Sequence, residues 1–168
     1  MAPAVVLVGP PGSGKSTVAA RLGRLTGHAV RDTDTDIEKV AGKPIPEIFA
    51  QDGEAGFREL EAAAVATALA EHDGILALGG GAVLSAVTRE GLRGQRVVYL
   101  ALSMPVGVRR TGLAANRPLL VGVNPRATYQ SLLQARIPLY REVATIEIDT
   151  DDLTPDQVAR LIADELER

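Results

Sequence analysis

The sequence predicts an α/β fold: a five-stranded parallel sheet held between two layers of helices. Two observations carry this. Five short apolar runs alternate along the chain with segments of helical spacing, and such alternation produces parallel strands joined by crossover helices. The first apolar run also leads directly into Gly9-Pro10-Pro11-Gly12-Ser13-Gly14-Lys15-Ser16 and then into a helical pattern. Strand, glycine loop and helix in that order make a nucleotide phosphate site.

Taken in order, Ala4–Val8 is an apolar run of strand character. Gly14–Thr26 follows as a helix, with Val18, Leu22 and Leu25 expected inward and Arg21 and Arg24 outward. Ala29–Asp32 reads as the second strand. Helical patterns come next over Thr35–Val40, Ile45–Gln51 and Gly53–His72. Gly74–Leu78 and Arg96–Ala101 are the third and fourth strands, with a helix over Met104–Arg110 after the latter. Thr111–Asn124, with Gly112, Asn116, Arg117, Pro118 and Gly122, breaks the pattern and reads as a long loop, either a lid over phosphates or a surface excursion. A helix over Pro125–Tyr140 and a strand over Thr145–Asp149 follow. Thr154 caps the last helix, which has Pro155 at its first position and runs to Glu167.

The 168 residues fit a single domain, and 46% apolar with 23% charged residues is a globular composition. A net charge of −3 without a basic cluster argues against a nucleic-acid partner. No apolar stretch is long enough for a membrane span, and no secretory signal is visible. The absence of cysteine excludes disulfides and thiolate metal sites and fits a cytoplasmic location. His28 and His72 each follow a helix and are expected at the surface rather than as ligands. A monomer is the default assembly.

The chemistry-bearing residues lie where strands end. Glycines in the 9–16 loop let backbone N–H groups wrap phosphates, and the helix N-terminus adds partial positive charge. Lys15 is placed to reach the β- and γ-phosphates, and the Ser16 hydroxyl to ligate Mg²⁺. Asp32-Thr33-Asp34 ends the second strand, and strand alternation would send both carboxylates to one side. Asp32 would hold the Mg²⁺ water shell and Asp34 accept a proton from an attacking hydroxyl, unless one of them only caps the next helix. Asp36 is expected to point elsewhere. Gly79-Gly80-Gly81 either lets backbone approach a ligand closely or forms a flexible turn. Arg58 and Glu61 share a helix face and, taken alone, read as an ordinary surface ion pair; Arg136 alone is equally unremarkable.

Together these motifs resemble the shikimate kinase family over nearly the whole chain. Beside the phosphate loop stand Asp32-Thr33-Asp34 with Ile37 and Glu38, Phe57-Arg58 with Glu61, Leu78 to Val83, Arg117-Pro118-Leu119-Leu120, and Arg136 with Leu139-Tyr140. The resemblance implies a nucleoside-monophosphate-kinase-like sheet in the order 2-3-1-4-5. It also implies transfer of the ATP γ-phosphoryl group to the shikimate 3-hydroxyl with Mg²⁺ as cofactor. Within a single kinase domain over 1–168, the phosphate loop is 9–16, the shikimate-binding region about 33–61 and the lid about 111–124. ATP would meet Gly12, Ser13, Gly14, Lys15, Ser16, Thr17, Arg110, Arg117 and Pro155. Shikimate would meet Asp34, Arg58, Gly79, Gly80, Gly81 and Arg136. Phe49, Phe57, Pro118 and Leu119 would wall the pocket, and Glu61 would orient an arginine. Asp34, Lys15 and Arg117 would be catalytic, with Ser16 and Asp32 at the metal. A related sugar kinase such as a gluconate kinase, or a nucleotide-dependent switch, are the competing readings.

Overall fold

A computed structural model describes residues 2–112 and 124–168. Strands β1 (Val5–Val8), β2 (Val30–Asp32), β3 (Ile75–Ala77), β4 (Val97–Ala101) and β5 (Ile146–Asp149) form one parallel sheet in the order β2-β3-β1-β4-β5, the order that the resemblance implies. The helices are α1 (Lys15–Thr26), α2 (Thr33–Ala41), α3 (Ile45–Glu71), α4 (Ala86–Gly91), α5 (Met104–Thr111), α6 (Pro125–Val143) and α7 (Pro155–Leu166).

The inner strands β3, β1 and β4 are short apolar runs because both faces of the sheet are covered there. Successive residues of β1 serve opposite layers. Val5 and Leu7 pack with Val18 and Leu22 of α1 and with Val158 and Ile162 of α7. Val6 and Val8 pack with Val65 of α3 and Tyr140 of α6. The chain leaves β1 for β2 on one side and later returns to β4 on the other, so the crevice opens at the carboxyl end of β1, where ligands of such sheets bind.

The structure departs from expectation in four places and agrees at one break between helices. Helix α2 begins at Thr33, not Thr35, because Asp32 caps it: its carboxylate accepts from Asp34 N. The two helices expected over 45–51 and 53–72 are present within α3, and they meet at a break at Gly53, whose φ of 72° and ψ of 177° only glycine adopts readily. A 3₁₀ turn at Ala82–Leu84 and the six-residue α4, capped by Ser85, were not anticipated. Leu25, expected inward, is 51% exposed. Thr111 ends α5 and Asn124 caps α6, so helical turns bound the expected loop. Residues 113–123, and with them Arg117, Pro118 and Leu119, lie outside the described residues.

Candidate active site

Helix α1 starts on Gly14, whose φ of 90° is open to glycine, and no side chain caps it. Its first N–H groups are therefore available to an anion. The loop before it turns four successive carbonyls toward protein donors. Gly9 O and Pro10 O accept from Lys15 Nζ at 2.6 and 3.1 Å. Pro11 O accepts from the Tyr129 hydroxyl at 2.7 Å, and Gly12 O from Arg110 Nη1 at 3.2 Å. Arg110 also donates to Thr150 Oγ1 and O at 3.2 and 3.0 Å, tying the loop to the segment between β5 and α7. Pro155 is exposed at the start of α7 and does not line the cleft around the loop.

Asp32 and Asp34 do not share a side by strand alternation, because the strand ends at Asp32 and Asp34 lies in the first turn of α2. They meet in one cleft by another route. Asp32 Oδ2 accepts from Ser16 Oγ at 2.8 Å while Oδ1 caps Asp34 N at 2.9 Å, so capping and facing the loop are one arrangement. Asp34, two residues further along, lines the same cleft and adds a negative charge at a helix N-terminus, where the dipole favours it. The cleft, of 380 Å³, is lined by Gly12, Gly14, Lys15, Ser16, Thr17, Asp32, Asp34, Leu78, Gly79, Gly80 and Arg110. Ser13 is buried beneath it. Asp36 points away, as expected, and pairs with Arg31 at 2.7 Å.

Beyond the cleft, Gly79–Gly81 joins the two halves of the site. A β-carbon on Gly79 would lie 2.7 Å from Asp34 Oδ1 and 3.0 Å from Glu61 Oε2, and one on Gly81 would strike the Arg58 guanidinium. The triplet is thus a close approach of backbone to side chains rather than a merely flexible turn. Thr33, fully buried, holds it: its hydroxyl accepts from Gly79 N at 3.3 Å.

The Arg58–Glu61 pair is not a surface pair. Glu61 is 3% exposed, and its Oε1 accepts from Arg58 Nη1 at 2.7 Å. Arg136 is 5% exposed on α6, and its charge bears on Glu61. Phe49 and Phe57 stack with centroids 4.6 Å apart, and Phe57 is next to Arg58 in the sequence. His28 is exposed, whereas His72 is half-buried, with Nε2 at 3.1 Å from Ala29 O and 3.0 Å from Ile75 O, a tie between strands.

Burial raises the Glu61 pKa above its ordinary 4.5, against the opposing pull of Arg58 and Arg136. The folded state therefore binds the extra proton. The stability this contributes is complete below about 4.5 and is lost as pH rises through the folded pKa. Glu61→Gln lacks this dependence, so the Tm difference between variant and parent should move in the variant's favour as pH is raised from acid to neutral. A pH-independent difference in thermal melts would show that Glu61 titrates normally.

Sequence reasoning missed Thr33, Tyr129 and Thr150 as parts of the site. The first hid between two more conspicuous aspartates, and the other two act through loops distant in sequence.

The family model for shikimate kinase matches residues 11–167. A shikimate kinase of Saccharopolyspora erythraea is 58% identical over 98% of this chain and 94% of its own length. The structure of a shikimate kinase from Acinetobacter baumannii in complex with shikimate superposes with a TM-score of 0.94 at 38% identity, covering 99% of this chain and 93% of that one. A gluconokinase from Sinorhizobium meliloti, at 20% identity and a TM-score of 0.58 over 98% of this chain and 91% of its own, shares the fold alone. By the family model over 11–167 and by the 58% identity over nearly its whole length, the chain belongs to the shikimate kinase family.

Proposed function

We propose that this kinase transfers the γ-phosphoryl group of ATP to the 3-hydroxyl of shikimate, with the residues of the cleft in the following roles. Gly12 to Thr17 cradle the phosphates, and Arg110 flanks the nucleotide beside Thr150. Lys15 neutralises charge developing on the transferring group. Asp34 accepts the proton of the attacking hydroxyl. Arg58 and Arg136 grip the substrate carboxylate, whose fork matches a guanidinium. The observation that carries this is Gly79, where an added β-carbon would meet both Asp34 of the phosphate cleft and Glu61 of the arginine cluster. Donor and acceptor sites are thereby contiguous. Arg117, Pro118 and Leu119 complete the proposal as lid residues.

Ser16 and Asp32 suit Mg²⁺, a hard cation preferring oxygen ligands: a hydroxyl and a carboxylate lie 2.8 Å apart at the cleft. When bound there with nucleotide, Mg²⁺ would offset phosphate charge. Asp32 would reach it through water. A monomer remains the default assembly. The absence of cysteine suits the cytoplasm, and among the described residues no helix is long and apolar enough to cross a membrane.

The test is ADP release from Mg-ATP with shikimate and with gluconate as acceptor. Turnover that depends on shikimate and yields a phosphorylated product is expected. Turnover with gluconate, or hydrolysis indifferent to either, would leave the phosphate loop correctly read and the acceptor site wrongly assigned.

A further inference from the structure

Two tyrosines of α6 have no part in the roles above, yet each donates its hydroxyl to a backbone carbonyl of a site loop. Tyr129 reaches Pro11 O of the phosphate loop at 2.7 Å, and Tyr140 reaches Gly80 O of the glycine turn at 2.5 Å. These carbonyls lie 118 and 60 residues away in sequence. The loops leave neighbouring strands, β1 and β3, and touch: a β-carbon on Gly80 would lie 3.1 Å from Pro11 Cδ.

The rings are held so that the hydroxyls have fixed positions. Tyr129 is 1% exposed and lies against Gly107 of α5 so closely that a β-carbon there would enter its ring. Tyr140 is fully buried and stacks on Tyr99 with centroids 5.0 Å apart. Eleven residues separate the two tyrosines, three turns of α6, so both stand on its buried face together with Leu133 and Arg136. Phenylalanine would fill both ring sites equally well. The hydroxyls do something more.

A trans peptide points its N–H opposite to its C=O. Holding Pro11 O toward α6 therefore turns Gly12 N–H, the first phosphate donor after two prolines, to the other side. Holding Gly80 O likewise sets the Gly81 N–H, beside Arg58. We propose that Tyr129 and Tyr140 are positioning residues that orient the nucleotide loop and the substrate turn, respectively, from one rigid helix. The pair sets the donor and acceptor halves of the site relative to each other, the alignment on which an in-line transfer depends. This rests on the assignment of nucleotide and shikimate to those halves.

The experiment is a split between the two single variants. Tyr129→Phe is expected to weaken ADP binding, read by calorimetry without any acceptor, and to raise the ATP KM about tenfold while the shikimate KM stays within about twofold. Tyr140→Phe is expected to do the reverse, raising the shikimate KM about tenfold and leaving ADP binding unchanged. Both Tm values are measured alongside. Equal effects on both ligands, or a lower Tm with unaltered affinities, would make the hydroxyls purely structural and overturn the proposal. Because ADP binding to Tyr129→Phe is read without acceptor, it tests the loop even if shikimate is not the substrate.

Discussion

Asp34→Asn is expected to lower kcat about a thousandfold while leaving ATP affinity close to that of the parent. General-base assistance contributes roughly 10²- to 10⁴-fold, and an amide of the same shape cannot accept the proton. The substitution separates this role from its neighbour's because the two aspartates are wired differently. Asp32, not Asp34, bonds the Ser16 hydroxyl and caps α2, so nucleotide-side geometry survives the change. A second contribution of Asp34 is electrostatic. Its charge stands in the first turn of α2, and losing it should cost the fold about 0.3–1 kcal/mol. The measurement is steady-state kinetics with both substrates, accompanied by a thermal melt. If kcat stays near the parent value and only the melt shifts, Asp34 serves the helix and the base is another group. A matched loss in ATP affinity would instead mean that the two carboxylates act as one unit.

The placement of these residues was partly readable from the sequence. The phosphate loop was legible because its chemistry resides in eight contiguous residues between a strand and a helix. The strands were legible because a sheet covered on both faces needs unbroken apolar runs, as β1 and β4 supply. Asp34 does line one cleft with the glycine loop, but not for the reason expected from the sequence: alternation was carried two residues past the end of β2. The Arg58–Glu61 pair was illegible as a buried feature, since an arginine and a glutamate three apart are a common solvent-facing pair on a helix. Only the packing of α3 against the glycine turn removes Glu61 from water. The tyrosines failed for a similar reason. Tyr140 stood out only within a family motif, and nothing local says that the two hydroxyls find carbonyls 60 and 118 residues away. Helix α4 is too short for periodicity to register.

Arg136→Ala should act on the substrate with comparable specificity. A charge-assisted, two-pronged contact to a carboxylate is worth about 3 kcal/mol, so the shikimate KM should rise roughly a hundredfold. The ATP KM should stay within about twofold, because Arg136 does not line the phosphate cleft. The fold also responds, since the guanidinium is, among the described residues, one of two cations bearing on the buried Glu61 carboxylate. Removing it leaves Arg58 as the sole named counter-charge and pushes the Glu61 pKa further up, because burial then meets less opposition. Part of any loss could therefore come from Arg58 being redrawn toward Glu61. Arg136→Lys distinguishes the two causes. Lysine keeps the positive charge beside Glu61 but offers no planar fork. A lysine variant with restored Tm and a still elevated shikimate KM assigns Arg136 to the substrate carboxylate. Full recovery of both with lysine would mean that charge alone matters, and equal rises in both KM values in the alanine variant would reduce Arg136 to a structural cation.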